Sequence, residues 1–152
     1  MKTILFILLC IFGWFVHKPF TVVEKTVQTS MGGRAESGIA TSYTVKFVAN
    51  YSSEKMSIGD MWIDSVYFEV RPYKQNADLS FSQKWEKGDT LFVKVVKHRY
   101  PDGIKIVKDN SGPVKPLPRK YSGAALIGYK LKGKMKFFVI DEFKELSTRY
   151  MP

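Results

Sequence analysis

Beyond residue 18 the chain alternates apolar and polar side chains with a period of two, and that alternation confines it to strands. Tyr43, Val45, Phe47 and Ala49 alternate with Thr44, Lys46 and Val48, the pattern of a strand with one buried face. Trp62 to Val70 and Thr90 to Lys97 are rich in β-branched and aromatic residues and are bounded by turn signals at Gly59-Asp60, Gly88-Asp89 and Pro101-Asp102-Gly103. Val22 to Thr29, Leu79 to Trp85, Ile104 to Val107, Ala124 to Leu131 and Lys134 to Ile140 are further predicted strands. No ten-residue amphipathic helix pattern interrupts them. Seven to eight short strands separated by turns predict an all-β domain, either an antiparallel β-sandwich of Ig-like type or a small barrel.

Turn chemistry sharpens parts of this picture. Lys132-Gly133 separates the last two predicted strands, and glycine supplies the positive φ that a tight hairpin needs. Asp109 to Lys120 contains three prolines, which fix φ and remove ladder donors, so it reads as a stiff extended connection between sheets or a loop for partner contact. Met31 to Gly38 reads as a flexible joint.

The start of the chain breaks the alternation. Lys2 precedes the apolar run Ile4 to Val16, and His17-Lys18-Pro19 closes it, as in the first two regions of an export signal. Thirteen residues span about 20 Å as a helix, short of the ~30 Å hydrocarbon core of a bilayer. Length therefore favours a cleaved signal. Gly13-Trp14-Phe15-Val16-His17 lacks the A-x-A-like pair of small residues that a signal peptidase requires, which favours a retained anchor, extended through Phe20, Val22 and Val23 with Lys18 reaching the interface. The expected organisation is a signal peptide or membrane-anchor helix over 1–20 and a single β-rich domain over 21–152. The expected location is the periplasm, free or anchored on the outer side of the inner membrane.

Cys10 is the only cysteine and lies inside that run, preceded by Leu9 rather than the small residue of a lipoprotein signal. A domain without cysteine has no disulfides, so a hydrophobic core alone must hold it, and about 130 residues suffice. All 14 acidic residues follow Lys18, and 22 of the 24 basic ones do too, an excess of 8 positive charges. Such a balance keeps a protein soluble and draws it to anionic surfaces.

Several chemistries are disfavoured by inventory. Gly33 to Gly38 has the glycine spacing of a phosphate-binding loop, but Ile39-Ala40 replace the lysine and hydroxyl that the chemistry needs. His17 and His98 without cysteine leave no structural zinc site, and His98 sits between Lys97 and Arg99, which oppose a bound cation. Ser52, Ser65 and Ser82 lack a nucleophile elbow. Asp60, Asp64, Glu69, Glu86 and Asp89 offer carboxylates, yet Asp60 and Asp89 follow turn glycines, where Asp serves the backbone. No enzymatic activity, cofactor or metal is expected.

The binding candidates are few. Lys130, Lys132, Lys134 and Lys136 interleave with Tyr129, Leu131, Met135, Phe137 and Phe138, a pattern able to track phosphate on an anionic glycolipid or nucleic acid. The same lysines are equally what guards a sheet edge against pairing, and the hairpin lacks arginine, the planar phosphate reader. Asn50-Tyr51-Ser52 matches the N-glycosylation acceptor. Asp64-Ser65-Val66 and Asp89-Thr90-Leu91 match the three-residue O-glycosylation acceptor of Bacteroidetes-type bacteria, making Ser65 and Thr90 candidate acceptors.

Met61-Trp62-Ile63, Trp85-Glu86-Lys87-Gly88-Asp89-Thr90, Tyr121 to Ile127, the Lys132-Gly133 turn and Phe138-Val139-Ile140 together resemble small envelope proteins of Bacteroidetes, over roughly Tyr43 to Pro152. The resemblance is structural and implies an envelope location without supplying an activity. The expected function is non-catalytic: a sandwich that binds a protein or envelope component through a face or its loops. The alternative is a cationic binder acting through the 130–136 hairpin.

Overall fold

The computed structural model describes residues 18–32, 38–78, 80–99, 107–108 and 114–151. The predicted signal or anchor and the glycine-spaced stretch 33–37 lie outside these residues, as does most of the predicted strand Ile104 to Val107. No helix among the described residues is long and apolar enough to cross a membrane.

Those residues form eleven strands: β1 (Phe20–Gly32), β2 (Ile39–Ala49), β3 (Met56–Ile63), β4 (Val66–Glu69), β5 (Lys74–Gln75), β6 (Phe81–Ser82), β7 (Thr90–Arg99), β8 (Val107–Lys108), β9 (Ala125–Leu131), β10 (Lys134–Ile140) and β11 (Lys144–Met151). They build a five-stranded sheet ordered β11-β1-β2-β7-β8, a four-stranded sheet ordered β10-β9-β3-β4, and a small β5-β6 ribbon. All pairings are antiparallel except β1 with β11. The protein is all-β, and two open sheets sharing one core are consistent with a sandwich rather than a barrel.

The alternation read from the sequence chooses the buried face. Val45, Phe47 and Ala49 of β2 and Leu91, Val93 and Val95 of β7 point inward from the larger sheet. Met61 and Ile63 of β3, Phe68 of β4 and Ile127 and Tyr129 of β9 meet them from the smaller one. Phe20 closes one end, its ring 4.9 Å from Phe47, 4.9 Å from Phe138 and 5.5 Å from Tyr129. Phe20 and Val22 therefore belong to the core and do not prolong the apolar run.

Of three one-residue register shifts, one falls where β11 pairs with β1, and the other two reset the alternation of strands that reach the core. In β1 the register shifts between Val22 and Glu24, which leaves Val23 57% exposed. In β3 it shifts between Ile58 and Asp60, so Met56 and Ile58 face inward before Gly59, and Met61 and Ile63 after it. Asp60 and Trp62 are thereby turned to the outside.

Three expectations need correction. Trp62 to Val70 is not one strand: Asp64 and Ser65 adopt φ of 49° and 64° and fold it into the β3–β4 hairpin. Among the described residues of Leu79 to Trp85 only Phe81–Ser82 form a strand, and Trp85 instead buries its indole and donates to the Tyr51 carbonyl at 3.1 Å. β11, unforeseen, has every residue exposed and joins the β1 edge mainly through backbone pairing. The Lys132-Gly133 hairpin forms as expected, with φ of 50° and 79° and Leu131 opposite Lys134.

The Tyr121 to Ile127 stretch turns at Gly123. A Cβ there would lie 2.6 Å from the Ile140 carbonyl oxygen and 2.6 Å from a Val139 methyl. Because backbone cannot yield as a flexible side-chain tip can, Gly123→Ala is expected to cost about 2 kcal/mol. Urea denaturation checks this, and a loss no larger than that of an exposed control would place Gly123 elsewhere.

Candidate functional site

On the outer face of the smaller sheet a nearly buried carboxylate, Asp60, takes hydrogen bonds from two other segments of the chain. The Gly59 bulge turns Asp60 outward beside Glu69 of β4 and Gly128 of β9, its partners across the ladder. Trp62 is likewise flanked by Tyr67 and Leu126. Asp60 is only 9% exposed, yet its Oδ1 accepts from the Tyr67 hydroxyl at 3.0 Å and the Lys115 ammonium at 2.7 Å. A buried carboxylate tolerates such a position because it is paired and hydrogen-bonded.

Lys115 arrives from the proline-rich segment. Residues 114–121 run across the sheet with every second side chain engaged: Lys115 reaches Asp60, Leu117 packs on the Trp62–Tyr67–Leu126 cluster, Arg119 lies 5.5 Å from the Phe137 ring, and the Tyr121 hydroxyl donates to the Trp62 carbonyl at 3.3 Å. The Trp62 indole donates back to the Lys115 carbonyl at 3.4 Å. Pro116 and Pro118 occupy the alternate, exposed positions, where a missing N–H leaves no donor unsatisfied. The loop is thus a strap over a second, outer apolar cluster.

Where the strap ends, a cavity of about 340 Å³ opens between Asp60, Glu69 and Lys115 on one side and Lys130 and Met135 on the other. Gly128 forms its floor; a Cβ there would come within 3.0 Å of the Asp60 Cβ and 3.2 Å of the Trp62 ring. The volume suits a small ligand or a few side chains of a partner. Burial, then the bond to Asp60, raises the Tyr67 phenol above its ordinary value of 10.0, and the bond to Asp60 raises the Lys115 ammonium. Each carboxylate has a cation: Lys115 for Asp60, and Arg71 at 3.5 Å for Glu69.

The phenols of Tyr43, Tyr67, Tyr121 and Tyr129 are all raised, each chiefly by burial. A raised folded value means that their contribution to stability is complete below the unfolded value of 10.0 and is lost as pH rises through the folded values. Phenolate absorbance is therefore expected to lag the ordinary titration and to rise together with loss of near-UV circular dichroism. Ionisation of all tyrosines at the ordinary value with the fold intact would contradict the packing.

The candidates named from the sequence separate. Register places Lys130 opposite Met135 on the outer face, whereas Lys134 and Lys136 share the inner side with Leu131 and Tyr129, and Lys132 sits in the turn. Only Lys130 and Tyr129 line the cavity, and Tyr129 buries its ring in the core. The hairpin therefore presents no single lysine stripe. Ser65 is exposed at the β3–β4 hairpin tip, and Thr90 is half-buried at the first position of β7. Asn50 spends its side-chain amide on the Lys18 carbonyl at 2.8 Å, the atom that a glycan would need. Asp89 accepts from the Glu86 N–H and the Lys74 ammonium, both at 2.8 Å, as a turn aspartate does. Among the described residues no group of three or more His, Cys, Asp or Glu side chains is placed to hold a metal.

Sequence reasoning weighed Asp60 and Glu69 only as loose carboxylates and missed Lys115 and Tyr67. Their grouping depends on the Gly59 bulge and the course of the strap, whose signals are an isolated glycine within a strand and the alternation of Lys115, Leu117, Arg119 and Tyr121. No family model matches the sequence, and no curated protein or solved structure matches it either.

Proposed function

We propose that this chain is an exported, non-catalytic binding domain of the cell envelope. Its site is the outer-face cavity beside the proline strap, and its partner is a protein or envelope component bearing both charges. The observation that carries this reading is the Asp60–Tyr67–Lys115 cluster: a nearly buried carboxylate whose cation belongs to a segment that also borders an open cavity. Lys130 and Glu69 add one charge of each sign to the same opening. Asp60 and Glu69 each stand beside a cation, Lys115 and Arg71, an arrangement that suits recognition of a partner's charges.

The order of connections supports an Ig-like reading of the sandwich. β1, β2 and β7 oppose β4, β3, β9 and β10, and the chain changes sheets after β2, before β7, after β8 and again after β10, where β11 returns to the β1 edge. The residues that resemble Bacteroidetes envelope proteins are those that fold this framework: Trp62, Trp85, Gly123 and the Lys132-Gly133 turn. With the apolar start of the chain, they favour a periplasmic domain, anchored or released.

A photoreactive side chain placed at Met135, at the cavity mouth, is expected to crosslink a partner in intact envelopes, while the same group at exposed Val23 on the other sheet is not. Equal crosslinking at both positions, or none at Met135, would reject the site. Turnover in a hydrolase panel that disappeared with Asp60→Asn would replace binding by catalysis.

A further inference from the structure

Four segments meet at the end of the domain where β1 begins. The Asn50 N–H donates to the Pro19 carbonyl at 3.0 Å, Gly88 to Ala49 at 2.7 Å, Ser53 to Trp85 at 2.9 Å and Lys132 to Lys55 at 2.9 Å. These backbone bonds knit residues 18–19, 49–55, 84–89 and the 132–133 turn into one surface. Lys18, Lys55, Lys84, Lys87 and Lys132 are exposed on it, with Lys130, Lys134 and Lys136 just behind on the hairpin. Against these eight lysines stand three carboxylates at the turns, Glu54, Glu86 and Asp89, of which Asp89 already pairs with Lys74 at 2.8 Å, while Lys130 also shares its cavity with Asp60 and Glu69. The turns at the opposite end, Asp64-Ser65 and Asp141-Glu142, bring three carboxylates, and Asp64 and Asp141 there pair with Lys97 and Lys25.

The lysines that strand register splits between two faces are thus reunited, with others, at one end. That end is where the apolar run arrives. Only His17, Lys18 and Pro19 separate Val16 from Phe20, which is 1% exposed and fixed in the core. Three residues of any conformation reach at most about 10 Å, close to one Debye length in physiological salt. When Ile4 to Val16 enters a bilayer, this surface stands within electrostatic range of the headgroups.

We infer that the lysine-bearing end of the domain is a docking surface for the anionic headgroups of a phospholipid bilayer, acting as a second membrane signal beside the apolar run. An apolar run of thirteen residues is a weak anchor alone, and weak anchors become stable when a basic patch adds to them. Lysine suits this task, because a hydrated point charge responds to diffuse surface potential, whereas arginine reads single phosphates by its fork.

The test is vesicle flotation of the chain as expressed, comparing phosphatidylcholine vesicles with vesicles that also contain phosphatidylglycerol. The ratio of the two partition coefficients isolates the electrostatic part, so the apolar run cancels whether or not it is retained. Each lysine is worth roughly five-fold in that ratio. Lys55→Gln, Lys84→Gln, Lys87→Gln and Lys134→Gln combined are expected to lower it by about a hundred-fold or more at unchanged melting temperature, while Lys120→Gln with Lys144→Gln changes it less than about two-fold. Raising salt from about 0.1 to about 0.5 M is expected to abolish the wild-type preference. Equal losses in both variants, or a salt-independent ratio, would overturn the inference. So would an effect confined to binding of a single-stranded oligonucleotide.

Discussion

Phe20→Ala is expected to destabilise the domain by about 3–5 kcal/mol, a fall in melting temperature of roughly 10–20 °C. Phe20 is 1% exposed and touches rings from both sheets, Phe47 on one side and Phe138 and Tyr129 on the other. Its removal leaves a cavity lined by stiff aromatics that cannot close over it, which places the cost high in the usual range for large-to-small changes. Val23→Ala is the matched control. It lies three residues later in the same strand but is 57% exposed at the bulge, so its replacement is expected to cost less than about 0.5 kcal/mol. Urea denaturation of the two variants reads the difference directly. Similar losses would mean that β1 enters the core in another register and that the apolar run extends past residue 20.

The contrast between Phe20 and Val23 also shows where sequence reasoning stops. Strand content was legible because alternation and turn chemistry are local: Val45, Phe47 and Ala49 all point inward, and Lys132-Gly133 makes its hairpin. Bulges are not local. Nothing in Thr21-Val22-Val23-Glu24 announces which residue is left without a cross-strand partner, and Gly59 signals a turn as readily as a bulge, since the ladder on the neighbouring strand decides it. Each bulge shifts every later side chain to the opposite face, and so Asp60 passed as a turn residue when it is the centre of the outer-face cluster. The Asp64-Ser65 turn escaped notice for a related reason. Positive φ at two residues other than glycine is uncommon enough that an unbroken β-rich run was the more economical reading of Trp62 to Val70.

β11 and the strap mark a second limit. Lys144–Met151 buries none of its side chains, so no burial pattern betrays it; it is a strand because β1 offers a free edge. The strap has an alternation of its own, Lys115, Leu117, Arg119 and Tyr121 toward the sheet and the prolines away, but its lysine and arginine conceal an apolar purpose. Their stems cover rings while their charges reach out, with Lys115 lying 5.1 Å from the Tyr67 ring as it pairs with Asp60. A reading that sorts residues into apolar and charged cannot see this.

Trp62→Ala is the second change with a large expected effect, and it separates the strap from the core. Trp62 is almost fully buried, but on the outer cluster with Tyr67, Leu126 and Phe137 rather than between the sheets. Truncation removes the floor beneath Leu117 and the donor to the Lys115 carbonyl together. The expected loss is about 3–5 kcal/mol. Because those contacts tie down the strap, proteolysis between Lys115 and Lys120 is expected to begin at denaturant concentrations where the core is still folded. Trp62→Phe keeps most of the ring burial and gives up only the long indole hydrogen bond, so it is expected to cost about 1 kcal/mol and to leave the strap protected. Cleavage of the strap only after global unfolding in Trp62→Ala would make the strap and the core one cooperative unit. The Asp60 cavity would then be as rigid as the sandwich beneath it, and a partner would have to fit the opening as it stands rather than lift the strap to enter.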